Sequence, residues 1–184
     1  MTIDARALAE GLIREARLPQ ASDGRPTVGG RSCDVHAIGW ATVDLERAAA
    51  SLAAGPPANQ APRSPLGPES IPGAAEADLP DELLGAVARI VAGPRVGPSA
   101  GPPLVLLEPS REGRLAAVLA HRGEGPAVLY LDAGRLPLAA TVAGLAAAGV
   151  RTRSGSGPFG EAALVLDRPV GEPQLVVVAV PSGP

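Results

Sequence analysis

The chain has 184 residues, 46% of them hydrophobic, and a formal net charge of −3 at pH 7. That is the length of one domain with ample apolar material for a core, and it carries no cationic excess to hold nucleic acid or an anionic membrane. The one cysteine, Cys33, excludes an internal disulfide and suits a reducing, cytoplasmic setting.

Aromatic residues make up only 2% and are Trp40, Tyr130 and Phe159, so the core must be built from Val, Leu, Ile and Ala. All 16 cationic residues are arginine, which reads as compositional drift alongside the abundant Ala, Gly and Pro. In "MTIDARALAEGLIREARL" the acids Asp4, Glu10 and Glu15 interrupt any apolar run, so no signal peptide is expected. No stretch approaches the roughly 18 apolar residues of a membrane span.

Residues 2–18 read as a helix with Leu8, Leu12, Ile13 and Ala16 on one stripe, an appendage expected to dock on its own domain or, failing that, on a partner. The next stretch, "PQASDGRPTVGGRS", is a linker by composition. "DVHAIGWAT" from Asp34 is a strand, and "DLERAAASLAAG" behind it a helix with Asp44 as N-cap and Gly55 as stop. Residues 56–80 are so rich in proline that neither helix nor ladder is expected, only a flexible insertion. The second half of "DELLGAVARIVAG" suits a strand. A Gly/Pro hairpin loop leads to the buried strand "LVLLEP", and Ser110 should cap a short helix, "REGRLAAVLAH".

The pattern then repeats. "PAVLYLDAG" is a strand, "LPLAATVAGLAAAG" a helix with Pro137 in its first turn and Gly149 past its end, and "EAALVLD" and "QLVVVAV" are strands joined by "RPVGEP". A strand, a helix and further strands thus occur twice, which predicts two half-domains packed as one α+β sheet system.

Over residues 34–180 this order resembles the vicinal oxygen chelate superfamily, the fold of glyoxalase I, methylmalonyl-CoA epimerase and extradiol dioxygenases. Ile38-Gly39-Trp40-Ala41 and Asp44-Leu45-Glu46-Arg47-Ala48 match the epimerases' first strand and helix at the same spacing. "LLEP" at 106–109 followed by "RGEG" at 122–125 matches their mid-chain, and "QLVVVAV" their last strand. The resemblance implies two βαβββ modules forming a half-open, barrel-like sheet after an N-terminal helix. The expected organisation is residues 1–31 as helix and linker and 32–184 as a glyoxalase-like domain, with module one at 32–122 and module two at 123–184.

In that family four side chains from facing strands hold a divalent ion. Carried over position by position, the ligands fall on Ala37, Val105, Val128 and Val177, none of which can donate an electron pair. No metal and no cofactor is therefore expected. His36 is one position away; alternation puts it with Ile38 and Trp40 toward the helices, and only a bulge at His36 would turn it inward.

The same carry-over lines the inner face with Ala37, Gly39, Ala41, Val105, Leu107, Val128, Tyr130, Leu175, Val177 and Ala179. This is an apolar pocket with one polar handle, the Tyr130 hydroxyl, unless small side chains fill it and Tyr130 reaches solvent. Tyr130 and Glu108 are the candidate catalytic residues; Glu108 alternatively caps the following helix, and Glu124 sits in an exposed turn. His121 suits a helix C-terminus, Cys33 has no activating partner, and "GSGPFG" from Gly155 is a hairpin turn and not a phosphate loop.

These readings favour a metal-independent enzyme isomerising or cyclising a hydrophobic small molecule. The alternatives are a protein that binds and sequesters such a compound, as in drug resistance, and an interaction module that keeps only the fold. A divalent-metal acyl-CoA epimerase ranks last, for want of ligands and of an Arg/Lys cluster for CoA phosphates. A homodimer is the default assembly of the superfamily.

Overall fold

A computed structural model describes residues 4–53, 77–91, 101–134, 136–169 and 171–179. Helix α1 (Ala5–Glu15) begins where Asp4 Oδ1 accepts from the amides of Arg6 and Ala7, at 3.0 and 3.1 Å. Its stripe of Ala9, Leu12 and Ile13, with Ala16 beyond the helix, is buried against Leu129 and Leu131. An ion pair from Arg122 to Glu15 (2.7 Å) and a bond from Arg168 to the Ala16 carbonyl (2.9 Å) fasten it to its own domain.

The stretch read as a linker is structured. Strands β1 (Thr27–Val28) and β2 (Arg31–Ser32) form a small antiparallel ribbon around Gly29 and Gly30, whose φ values of 56° and 76° make the left-handed pair of a tight hairpin. Gly29 also abuts α4, because an added Cβ would stand 2.9 Å from Leu145.

The main sheet comprises β3 (Asp34–Ala41), β4 (Leu79–Asp81), β5 (Ala86–Val91), β6 (Leu104–Pro109), β7 (Gly125–Asp132), β8 (Thr152–Gly157), β9 (Gly160–Val165) and β10 (Gln174–Val178). Helices α2 (Leu45–Ala53), α3 (Arg114–Arg122) and α4 (Leu138–Ala147) connect them. The strand order is β4-β5-β6-β3-β7-β10-β9-β8. Each half pairs its first strand parallel to its last, β3 with β6 and β7 with β10, and the halves join through antiparallel β3 and β7. This is the α+β, two-module arrangement expected from the repeat.

Two further expectations need correction. Residues 56–76 of the proline-rich insertion, and Gly55 before it, lie outside the described residues, but Leu79 and Pro80, expected in the insertion, belong to β4. That strand is an edge strand, where a missing backbone N–H costs no ladder bond. The Gly/Pro loop lies outside the described residues over 92–100. Ser110 does not cap α3: its hydroxyl donates to the Gly85 carbonyl at 3.1 Å, and the helix starts later, behind Gly113.

The sheet separates two apolar layers. On the outer face Ile38, Leu104, Leu106, Leu129 and Leu131 pack beneath α1, α2 and α4. On the inner face Ala37, Val105, Leu107, Val128 and Tyr130 meet Leu115 and Val118 of α3 and Leu83 and Leu84 of the β4–β5 turn. The sheet ends nearly touch: the Glu82 amide donates to the Ser156 carbonyl at 3.1 Å, and Arg153 donates to the Leu83 carbonyl. Gly155 permits this seam, since a Cβ there would stand 2.8 Å from the Leu83 side chain.

If α1 is integral to the outer layer, truncating Leu12, which is 2% exposed, should cost about 2–5 kcal/mol. Denaturant unfolding of Leu12→Ala measures this; a loss below about 1 kcal/mol, the range of surface substitutions, would mean the helix is not part of the core.

Candidate functional site

Strand β7 runs through the middle of the sheet and sends Tyr130 into the inner layer, where its exposure is 0%. A buried phenol needs a partner. Tyr130 Oη donates to Asp81 Oδ2 at 2.9 Å, and Asp81 Oδ1 accepts from the Leu84 amide at 2.9 Å. Asp81, at the end of edge strand β4, is itself only 1% exposed. One hydrogen bond thus ties the centre of the sheet to its edge across a hydrocarbon interior. Burial raises the Asp81 pKa against the lowering effect of its hydrogen bonds to the Leu84 amide and Tyr130. Burial, then the neighbouring charge of Asp81, holds the Tyr130 pKa well above the ordinary phenol range.

His36 joins this pair by a route that simple alternation misses. The β3–β7 register shifts between Val35 and Ala37, with Val35 opposite Leu131 and Ala37 opposite Tyr130, so His36 is the extra residue of a bulge. Its ring lies not among the helices but edge-on to Phe159, with centroids 4.5 Å apart and planes at 87°. Phe159 in turn meets Tyr130 at 5.2 Å and 78° and packs on the inner layer. Burial lowers the His36 pKa, opposed by Asp132.

The other expected site residues divide between the two faces. Ala37, Ala41, Val105, Leu107, Val128 and Tyr130 are in the inner layer. Gly39 lies there too: an added Cβ would stand 2.6 Å from Leu107 and 2.7 Å from Val128. Leu175 and Val177 belong to the outer layer, contrary to expectation. Parallel pairing sets Val176 beside Tyr130, so Val176 and Val178 face inward. Ala179 lies beyond the end of β10.

Glu108 is also on the outer side, where Oε2 accepts from the Leu45 amide at 2.8 Å. It caps the preceding helix, α2, and not the following one. The two candidate catalytic residues therefore stand on opposite faces, and Asp81, unremarked in the sequence, is the carboxylate that Tyr130 touches. Glu124 braces the β3–α2 junction by accepting from Thr42 Oγ1 (2.7 Å), the Val43 amide (2.8 Å) and Arg47 (2.5 Å); the first two lower its pKa most.

Ala37, Val105, Leu107, Val128 and Tyr130 each have 0% exposure, so no water-sized void meets them. A cleft of about 240 Å³ does exist on the outer face, between Trp40, Leu106 and α2, with Arg47 and Glu124 at its rim. The carried-over ligand positions offer hydrocarbon only, and among the described residues no three His, Cys, Asp or Glu side chains are grouped to hold an ion. These side chains do not fit a divalent metal.

The architecture matches solved structures along nearly their whole length. A Streptomyces coelicolor methylmalonyl-CoA epimerase in complex with 2-nitronate-propionyl-CoA aligns with a TM-score of 0.56, covering 80% of this chain and 97% of its own, at 18% identity. Methylmalonyl-CoA epimerase from Mycobacterium tuberculosis aligns with a TM-score of 0.57 over 92% of this chain and 96% of its own, at 17% identity. A hypothetical protein from Bacillus halodurans C-125 gives 0.55 over 84% and 99%, at 16% identity. The chain has the glyoxalase-like fold. At these identities the glyoxalase-like likeness is one of fold alone. No family model and no curated protein matches the sequence. Among the described residues no helix is long and apolar enough to cross a membrane.

A raised carboxyl pKa stabilises the folded state fully below the unfolded value, about 3.9, and that contribution is lost as pH rises through the folded value. Asp23, Asp167, Glu46 and Glu124 have lowered pKa values and act with the opposite sign. The stability difference between wild type and Asp81→Asn isolates the one group. It should move against the wild type as pH rises from about 4, by at most about 1.4 kcal/mol per pH unit. A difference that stays constant from acid to neutral pH would contradict the burial of this carboxyl.

Proposed function

We propose that this chain is a metal-free, small-molecule protein of the glyoxalase-like fold that isomerises or cyclises a hydrophobic carbonyl compound against its inner face. The observation that carries the reading is the Tyr130–Asp81 hydrogen bond: an ionisable pair buried against a hydrocarbon layer, where burial raises the carboxyl pKa. On binding, the Tyr130 hydroxyl turns from Asp81 to the substrate carbonyl oxygen. The Asp81 carboxylate takes a proton from the carbon beside that carbonyl and returns it to the same or a conjugated position. Atoms and charge balance without a redox partner, and the apolar walls exclude water from the intermediate.

A second reading, in which the fold survives as an interaction module, is favoured by the packing of Ala37, Val105, Leu107 and Val128 to 0% exposure. A thermal-shift panel of hydrophobic ketones on chelator-treated protein separates the two. The first reading expects at least one ketone to raise the midpoint by several degrees, as ligand linkage requires, and Tyr130→Phe to weaken that ketone about tenfold or more. No shift across the panel at millimolar concentration would overturn it in favour of the module.

A further inference from the structure

Resting on the small-molecule reading, we propose that the Phe159 ring occupies the place of an aromatic ligand and that the hairpin carrying it swings outward to admit one. Phe159 stands in the turn between β8 and β9, bracketed by Gly157 and by Gly160, whose φ of 97° belongs to the left-handed region that glycine enters freely. Strand β8 is at the edge of the sheet, so it has one ladder partner, β9, and beyond it only the seam at β4. The hairpin can therefore bend at its glycines while the central strands keep their pairing.

What the ring touches defines the ligand. The chain has one Phe, one Tyr and one Trp, yet two of these three and one of two histidines meet at this point. His36 and Tyr130 both meet Phe159 in T-shaped geometry, one of the arrangements that aromatic pairs prefer. The bulge that turns His36 inward serves no ion pair or hydrogen bond found among the described residues, and this contact is what it achieves. Asp81 lies beside the same space, its carboxylate 3.7 Å from the place a Cβ on Gly157 would take. With the phenyl group withdrawn, the vacated volume would hold one six-membered aromatic ring, with the Tyr130 hydroxyl and Asp81 carboxylate at its border. The ligand class is a monocyclic aromatic compound bearing a hydrogen-bonding substituent, an aryl ketone in the reading above.

The single phenylalanine makes this observable in the unmodified chain. Protein labelled with ¹³C-phenylalanine has one set of ring signals, displaced in the free state by the neighbouring His36 and Tyr130 rings. Titration with acetophenone should move those signals saturably to the positions of solvent-exposed phenylalanine. Phe159→Ala should bind acetophenone about tenfold more tightly, because no ring has to be displaced. Saturable binding that leaves the phenylalanine signals displaced would overturn the plug while leaving the small-molecule reading intact. Binding by Phe159→Ala but not by wild type would mean a cavity made by mutation and would overturn it too. Absence of binding to both proteins would remove the plug and the reading together. Should the variant fail to fold, the wild-type titration decides alone.

Discussion

A hydrogen bond from a buried phenol to a buried carboxylate ties the centre of this sheet to its edge. Tyr130 is fixed by its place in β7, which is paired on both sides. Asp81 is at the end of a three-residue edge strand containing a proline, held by β5 and by the seam to β8. The bond therefore orders the weaker element from the stronger one. Breaking it leaves a desolvated hydroxyl and a desolvated carboxyl, each costing about 1–3 kcal/mol. The seam closes where the edge is tethered, and the inner face loses its contact with solvent.

That closure sets the electrostatics of the interior. The positions that could face an ion present Ala, Val and Leu, and such surroundings favour the neutral form of a carboxyl. Burial of this kind raises the Asp81 pKa, and its hydrogen bonds to the Leu84 amide and Tyr130 oppose the rise. The outer face carries the architectural work: α1 buries its stripe there, Glu108 caps α2, and Glu124 fastens the β3–α2 junction. The division of labour follows the pleat, since neighbouring positions of one strand serve different layers.

The sequence announces the frame well because its periodicities are clear. The doubled order of strand and helix, the "LLEP" and "RGEG" segments and the amphipathic opening helix all correspond to observed elements. Its silences have physical causes. "QLVVVAV" is apolar at every position but the first, so no alternation reveals its phase, and Leu175 and Val177 are assigned to the wrong face. Strand β8 is Ser, Gly and Arg because it is an edge, and it reads as a turn. His36 is put on the helix side by strict alternation, because the bulge that turns it inward leaves the pattern around it unaltered. Asp81 escapes because its partner is 49 positions away, and no local pattern links an edge carboxylate to a central phenol.

Amide hydrogen exchange on the full chain probes most directly whether this closed interior opens as a local unit. The Glu82 and Leu84 amides report the seam and the Asp81 cap, while the β7 amides report the sheet's centre. The account predicts that the seam and the β8–β9 hairpin exchange through sub-global openings, at least a hundredfold faster than β7 under the same native conditions. Equal protection, with both lost only in global unfolding, would mean a sealed core that no ligand enters.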